Sequence, residues 1–180
     1  MKYVFSVMAV FLLLSFRPPD GIYDITITTM DGNKIALSQY KGKKLLFILL
    51  PLSAQDTTVS IHDIARLQTK YQNSLVVICI PAYESGYKTQ DAGKLKKIYE
   101  NASVNIIMTK GMKVKKGTDQ SPLFQWLTSK GRNHHFDQDA RGVGNKFFVD
   151  EQGELYAVMG PELTLAAPLT DIILAKPPKN

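Results

Sequence analysis

Two kinds of apolar patterning alternate along this chain and predict its elements. Residues Ile22–Thr28 (IYDITIT) alternate apolar and polar side chains, as a strand with one covered face does. Leu45–Leu50 (LLFILL) and Leu75–Ile80 (LVVICI) are continuously apolar and short, the pattern of parallel-type strands covered on both faces. Between them Val59, Ile61, Ile64, Leu67 and Tyr71 recur at helical spacing, which predicts a helix over Thr57–Tyr71. The turn Asp31-Gly32-Asn33 allows Lys34–Leu37 to fold back on Ile22–Thr28 as a hairpin. Further on, Ala92–Tyr99 reads as a short helix, Val104–Met108 as a strand, and Gly131–Gly144 as a polar loop. A helix is expected over Ser121–Thr128, with Ser121 at its N-cap and Pro122 at its first helical position. Lys146–Asp150 and Leu155–Met159 form a second hairpin about Asp150–Gly153, and Pro168–Lys176 closes the chain as a helix. Strand and helix in alternation, then a hairpin and a helix, predict one α/β domain: a central mixed sheet flanked by helices, with an N-terminal β-hairpin.

The first residues break this pattern. Lys2 is followed by an apolar run, residues 3–16, interrupted by Ser6 and Ser15, which is the layout of a secretory signal. As a helix the run reaches about 21 Å, short of the roughly 30 Å hydrocarbon core, so a spanning helix is the weaker reading. No small-x-small triplet precedes Arg17-Pro18-Pro19 to mark a cleavage site. Residues 1–20 are therefore read as a signal peptide or N-terminal membrane anchor, and 21–180 as the domain. An exported protein, periplasmic or extracellular, is expected, touching a membrane only if the segment is retained.

Composition narrows the chemistry. The chain has 180 residues, 44% hydrophobic and 21% charged, which excludes a disordered chain and a multi-span membrane protein. Its one cysteine, Cys79, excludes an intramolecular disulfide, a CxxC pair and a cysteine-based zinc site. Net charge is +6, but the densest basic stretch, Lys94 to Lys116, is divided between a helix and a loop. It lacks the interleaved arginines and aromatics of a nucleic-acid site, so a solvated lysine face is expected. His134-His135 with Asp137 and Asp139 reads as a polar loop rather than a metal site, and His62-Asp63 as a helix face. No cofactor or metal is expected, and the partner, protein or small molecule, stays open with the oligomeric state.

Several motifs are shared with known proteins. Ile22-Tyr23-Asp24, Asp31-Gly32 and Leu37-Ser38-Gln39-Tyr40-Lys41-Gly42-Lys43 resemble the opening of thioredoxin-fold peroxidases. Ser121-Pro122-Leu123-Phe124-Gln125-Trp126-Leu127 resembles the HPLYKWL helix of the glutathione peroxidase family, and Lys146–Gly153 (KFFVDEQG) is similar to its TKFLVDxxG strand and turn. The resemblance, from about residue 22 to 175, implies a thioredoxin-like fold.

It also implies where a peroxidase would hold its reactive groups. The family's nucleophile, a Cys or selenocysteine, follows the first buried parallel strand, where the next helix's N-terminus lowers its pKa. Ala54 stands at that place in Pro51-Leu52-Ser53-Ala54-Gln55-Asp56-Thr57. Glu84, in Pro81-Ala82-Tyr83-Glu84, holds the family's Gln position, and Gly142-Val143 hold those of its Trp-Asn pair. These four are degenerate positions, and no catalytic residue is assigned. Cys79 lies inside an apolar strand, where burial raises a thiol's pKa and blocks access. The expectation is a member that has lost peroxidase activity and acts as a binding or interaction module. The alternative is weak thiol-dependent reduction of hydroperoxides in an oxidative stress response. Exported thioredoxin-like proteins of cytochrome maturation share the opening motif, but their CxxC is replaced here by Ser53-Ala54-Gln55-Asp56.

Overall fold

A computed structural model describes residues 20–53, 55–100 and 106–175. The strands are β1 (Thr26–Thr28), β2 (Lys34–Ala36), β3 (Lys44–Leu49), β4 (Leu75–Ile80), β5 (Ile107–Met108), β6 (Lys146–Val149) and β7 (Leu155–Met159). The helices are α1 (Ile61–Tyr71), α2 (Ala92–Glu100), α3 (Pro122–Leu127), α4 (Lys130–Asn133) and α5 (Pro168–Leu174). β1 and β2 pair as an antiparallel hairpin, and the other five strands form one mixed sheet in the order β5-β4-β3-β6-β7. β3 lies parallel to β4 and antiparallel to β6, so it is central, with neighbours on both edges.

That placement explains the unbroken apolar run. Leu45, Phe47 and Leu49 project into a core shared with β1, α3 and the residues just before β1, Ile22 and Ile25. Leu46 and Ile48 project the other way, against α1, α2 and α5. A strand covered on both faces has no position that favours a polar side chain except at its ends.

Some boundaries differ from those the pattern predicts, for local reasons. Ile22–Thr28 is not one strand, because Ile22–Asp24 forms a 3-10 turn in which Asp24 Oδ2 accepts from the Gly21 N–H at 3.1 Å. The Thr57–Tyr71 helix begins only at Ile61. Asp56 Oδ1 takes the Thr58 N–H at 2.9 Å, and Ser60 accepts from Asp63 N–H at 3.3 Å as the N-cap. These side-chain bonds compete with helical ones and set the start of the helix. Within Val104–Met108, Ile107–Met108 is strand and Ile106 precedes it, while 101–105 lie outside the described residues. The polar loop 131–144 holds the end of α4, and the closing helix stops at Leu174.

A lysine is among the polar residues sealed inside. Lys146, the first residue of β6, is fully buried, and its Nζ donates to Leu163 O at 2.5 Å and Gly160 O at 3.4 Å. Burial disfavours the charged amine and lowers its pKa from 10.5 to about 8, against a partial opposing pull from Glu162. Below about pH 8 the amine is charged in both the folded and unfolded chain, and the burial penalty is fully present. Between about 8 and 10.5 the folded amine releases its proton first, so stability rises with pH. Denaturant melts of wild type and Lys146→Met across this range should show the wild type gaining on the variant by on the order of 2–3 kcal/mol. Cys79 and the tyrosines titrate alike in both proteins and cancel from the difference. Parallel curves would refute the assignment.

Candidate functional site

The segment joining β3 to α1 borders an open cavity of about 440 Å³. Ser53, Asp56, Thr57, Ser60 and His62 supply its polar wall, and Val59, Ile98 and Tyr99 contribute apolar surface. Asp56 Oδ1 accepts from both the backbone N–H and the hydroxyl of Thr58, at 2.9 and 2.5 Å. Ser53 Oγ donates to Gln55 Oε1 and accepts from the Gln55 N–H. The groups before α1 are thus hydroxyls and a carboxylate. A carboxylate beside the helix N-terminus opposes the formation of a second anion there, such as a thiolate or a peroxide anion.

Ala54 lies outside the described residues. Glu84 follows β4 in a 3-10 turn, and its Oε1 accepts from the N–H groups of Val114 and Lys115 at 2.9 and 3.0 Å. It anchors the segment after β5 and is not part of the cavity wall. Gly142 and Val143 lie in the turn that leads into β6. Gly142 has φ +107°, a conformation that disfavours any residue with a Cβ. This turn does reach the β3–α1 segment, since a Cβ on Gly144 would lie 2.3 Å from Thr58 Cγ2. The structure therefore brings Gly144 to the β3–α1 segment, while Gly142 meets nothing there, and sends the Glu84 carboxylate elsewhere.

Asn145, fully buried, fixes the turn. Its Oδ1 accepts from Arg141 N–H at 2.8 Å, and its Nδ2 donates to Met159 O at 2.7 Å. Sequence reading passed over Asn145 and Gly144; the signal available was their place next to the KFFVDEQG motif. Three of the remaining polar candidates have side-chain partners of their own. His135 Nε2 lies 2.9 Å from Glu154 Oε2, while Asp137 and Asp139 accept from the Nζ and the N–H of Lys116. His62 and Asp63 sit on the first turn of α1, and Trp126 is buried in the core on α3.

Cys79 is fully exposed to neither solvent nor cavity. It sits on β4 between Ile48 of β3 and Met108 of β5, fully buried. Burial pushes its thiol pKa well above the ordinary 9.0, which disfavours the thiolate.

The sequence model described as glutathione peroxidase matches residues 22–128. The chain belongs to the glutathione peroxidase family. A probable phospholipid hydroperoxide glutathione peroxidase of Nicotiana sylvestris is 27% identical over 163 residues, covering 86% of this chain and 92% of its own. The crystal structure of T. cruzi GPX1 superposes with a TM-score of 0.61 at 18% identity, covering 86% of this chain and 94% of that one. A thiol:disulfide interchange protein of the thioredoxin family from Chlorobium tepidum gives 0.57 at 18% identity, covering 88% and 94%. These likenesses establish the thioredoxin-like fold. Within the glutathione peroxidase frame, the β3–α1 segment that borders the cavity contains no cysteine at any position.

Proposed function

We propose that this family member has lost the peroxidase reaction and works as an exported, non-catalytic binding module whose ligand site is the cavity before α1. The observation that carries the reading is the placement of the one thiol. Reduction of a peroxide by this family's chemistry starts with a thiolate attacking the O–O bond. The segment that should present it holds hydroxyls and the Asp56 carboxylate, while Cys79 is enclosed in the sheet. A serine cannot substitute, because a hydroxyl is no redox centre and no base lies within hydrogen-bond reach of Ser53 in the contacts it makes. The cavity, with a polar rim and apolar walls, retains the concave form that ligand sites use. Export rests on the residue pattern of 1–20, read either as a cleaved signal or as a retained anchor.

Reactivity of Cys79 separates this reading from a relocated peroxidatic thiol. Native protein mixed with an aromatic disulfide reagent at pH 8 should release no chromophore on the timescale of a free thiol's reaction. One equivalent should appear on unfolding in guanidinium. Mass spectrometry after a hydrogen peroxide pulse should find Cys79 unoxidised. Fast labelling of the native thiol, or its sulfenic acid in the folded protein, would overturn the proposal.

A further inference from the structure

The chain carries 22 lysines and arginines against 16 acidic residues, yet the described residues lining the cavity before α1 include no lysine or arginine. Its wall holds the Asp56 carboxylate instead. Elsewhere exposed carboxylates are taken by cations: Asp31 by Lys96 and Asp119 by Lys113, both at 2.7 Å, and Glu162 by Arg141 at 2.9 Å. Among the described residues Asp56 accepts only from Thr58, and both bonds fall on Oδ1, which leaves Oδ2 for a ligand. Its charge is felt across the cavity. Burial, and then electrostatic contributions from Cys79 and Asp56, raise the Tyr99 hydroxyl above its ordinary pKa, so the carboxylate's field reaches the Tyr99 wall.

The rest of the wall suits the same sign of charge. A helix N-terminus ordinarily favours an anion, but on α1 the Ser60 hydroxyl takes the Asp63 N–H at 3.3 Å, and Asp63 puts a further carboxylate in the first turn. The hydroxyls of Ser53, Thr57 and Ser60 add oxygen lone pairs beside Asp56. Apolar surface comes from Val59, Ile98 and Tyr99, whose Oη is tied back to Pro51 O at 3.4 Å. A carboxylate among hydroxyl acceptors matches the three donors of a primary ammonium, and the apolar surface beside them matches a hydrocarbon body. At about 440 Å³ the cavity has room for a small aromatic or aliphatic amine. We propose that it binds a small primary ammonium compound with an apolar body, the ammonium held by Asp56 Oδ2. This names the ligand class of the site and rests on the reading of the cavity as a ligand site.

Three probes that share a phenyl ring and differ in the charge of the other end test the assignment on the full-length protein. Phenethylamine, 2-phenylethanol and phenylacetate are titrated at about pH 7.5 by calorimetry, and backbone amide shifts locate each of them. The proposal expects phenethylamine to bind at least about tenfold more tightly than 2-phenylethanol, and phenylacetate not to bind. The amide shifts should fall on Asp56–His62 and on Ile98 and Tyr99. Asp56→Asn keeps an oxygen for Thr58 and removes the charge, so it should weaken phenethylamine about tenfold and leave 2-phenylethanol unchanged. Where circular dichroism shows that this variant does not fold, the ranking of the three probes on the unaltered protein decides alone. Equal affinity for the amine and the alcohol, or tighter binding of phenylacetate, with the shifts still in the cavity, overturns the ammonium assignment and leaves the cavity as a ligand site. Phenethylamine shifts only outside the cavity, or an amine affinity unaltered in folded Asp56→Asn, likewise overturn it. Cavity amides that respond to none of the three probes overturn both readings.

Discussion

Replacing Asn133 with alanine is expected to lower the unfolding free energy by about 3–5 kcal/mol, the upper range for one substitution. The side chain is fully buried at the end of α4 and serves two neighbouring segments at once. Its Nδ2 donates to Trp126 O and Phe136 O, both at 2.9 Å, with Leu127 O at 3.3 Å. Its Oδ1 accepts from the N–H groups of His135 and Phe136, at 2.9 and 2.7 Å. Carbonyls at a helix C-terminus have no partner within the helix, and here those of α3 are satisfied by this amide. The same bonds hold the reversal at His134, a non-glycine residue at φ +63°. Alanine leaves buried donors and acceptors unpaired on both segments, with little room for water to replace the amide. Urea melts should show a lower midpoint at unchanged m-value. Asn133→Asp retains the acceptors, loses the donors and buries a charge, so it should be no better at neutral pH. A loss under about 1 kcal/mol for the alanine variant would contradict the assignment.

Gly144→Ala is expected to cost about 2–4 kcal/mol, and the loss has two separable parts. Backbone strain accounts for about 1–2 kcal/mol, because φ at Gly144 is +80°. The rest is steric: the new methyl would sit 2.3 Å from Thr58 Cγ2 and 3.4 Å from the backbone of Pro161. Thr58→Ser deletes the clashing methyl and keeps the hydroxyl that Asp56 accepts from. Combined with Gly144→Ala it should recover the steric part and leave the backbone part. A double-mutant cycle should thus show a coupling of at least about 1 kcal/mol, and additive losses would contradict the contact. The contact joins the turn that leads into β6 to the segment that precedes α1, the two stretches on which the proposed function rests.

The elements easiest to read from sequence were those whose environment is uniform. LLFILL and LVVICI lie within central strands covered on both faces, and their apolar runs say so directly. The family and the thioredoxin-like fold followed from PLFQWL and KFFVDEQG, whose spacing the structure places on α3 and on β6 with its turn. What escaped was decided by single polar side chains at element ends. Asp24 converts half of an alternating stretch into a 3-10 turn, and Asp56 with Ser60 delays α1. Short-range hydrogen bonds of this kind do not alter hydrophobic periodicity, so a pattern reading passes over them. The positions Glu84 and Gly142-Val143 could be named by resemblance, but not what they do. Anchoring of Val114 and Lys115 by Glu84 spans some 30 residues, and the left-handed backbone at Gly142 is a property of the folded turn. Lys146 reads in sequence as one more lysine of a strand, yet it is the most deeply enclosed charge described.

The central claim is that the peroxidase reaction is gone, and steady-state hydroperoxide consumption tests it most directly. Hydrogen peroxide and a phospholipid hydroperoxide would be offered to the full-length protein with glutathione, and separately with thioredoxin and its reductase. The account predicts consumption at the protein-free rate with every donor, and the same rate for Cys79→Ala. Turnover above that background, abolished by Cys79→Ala, would contradict it.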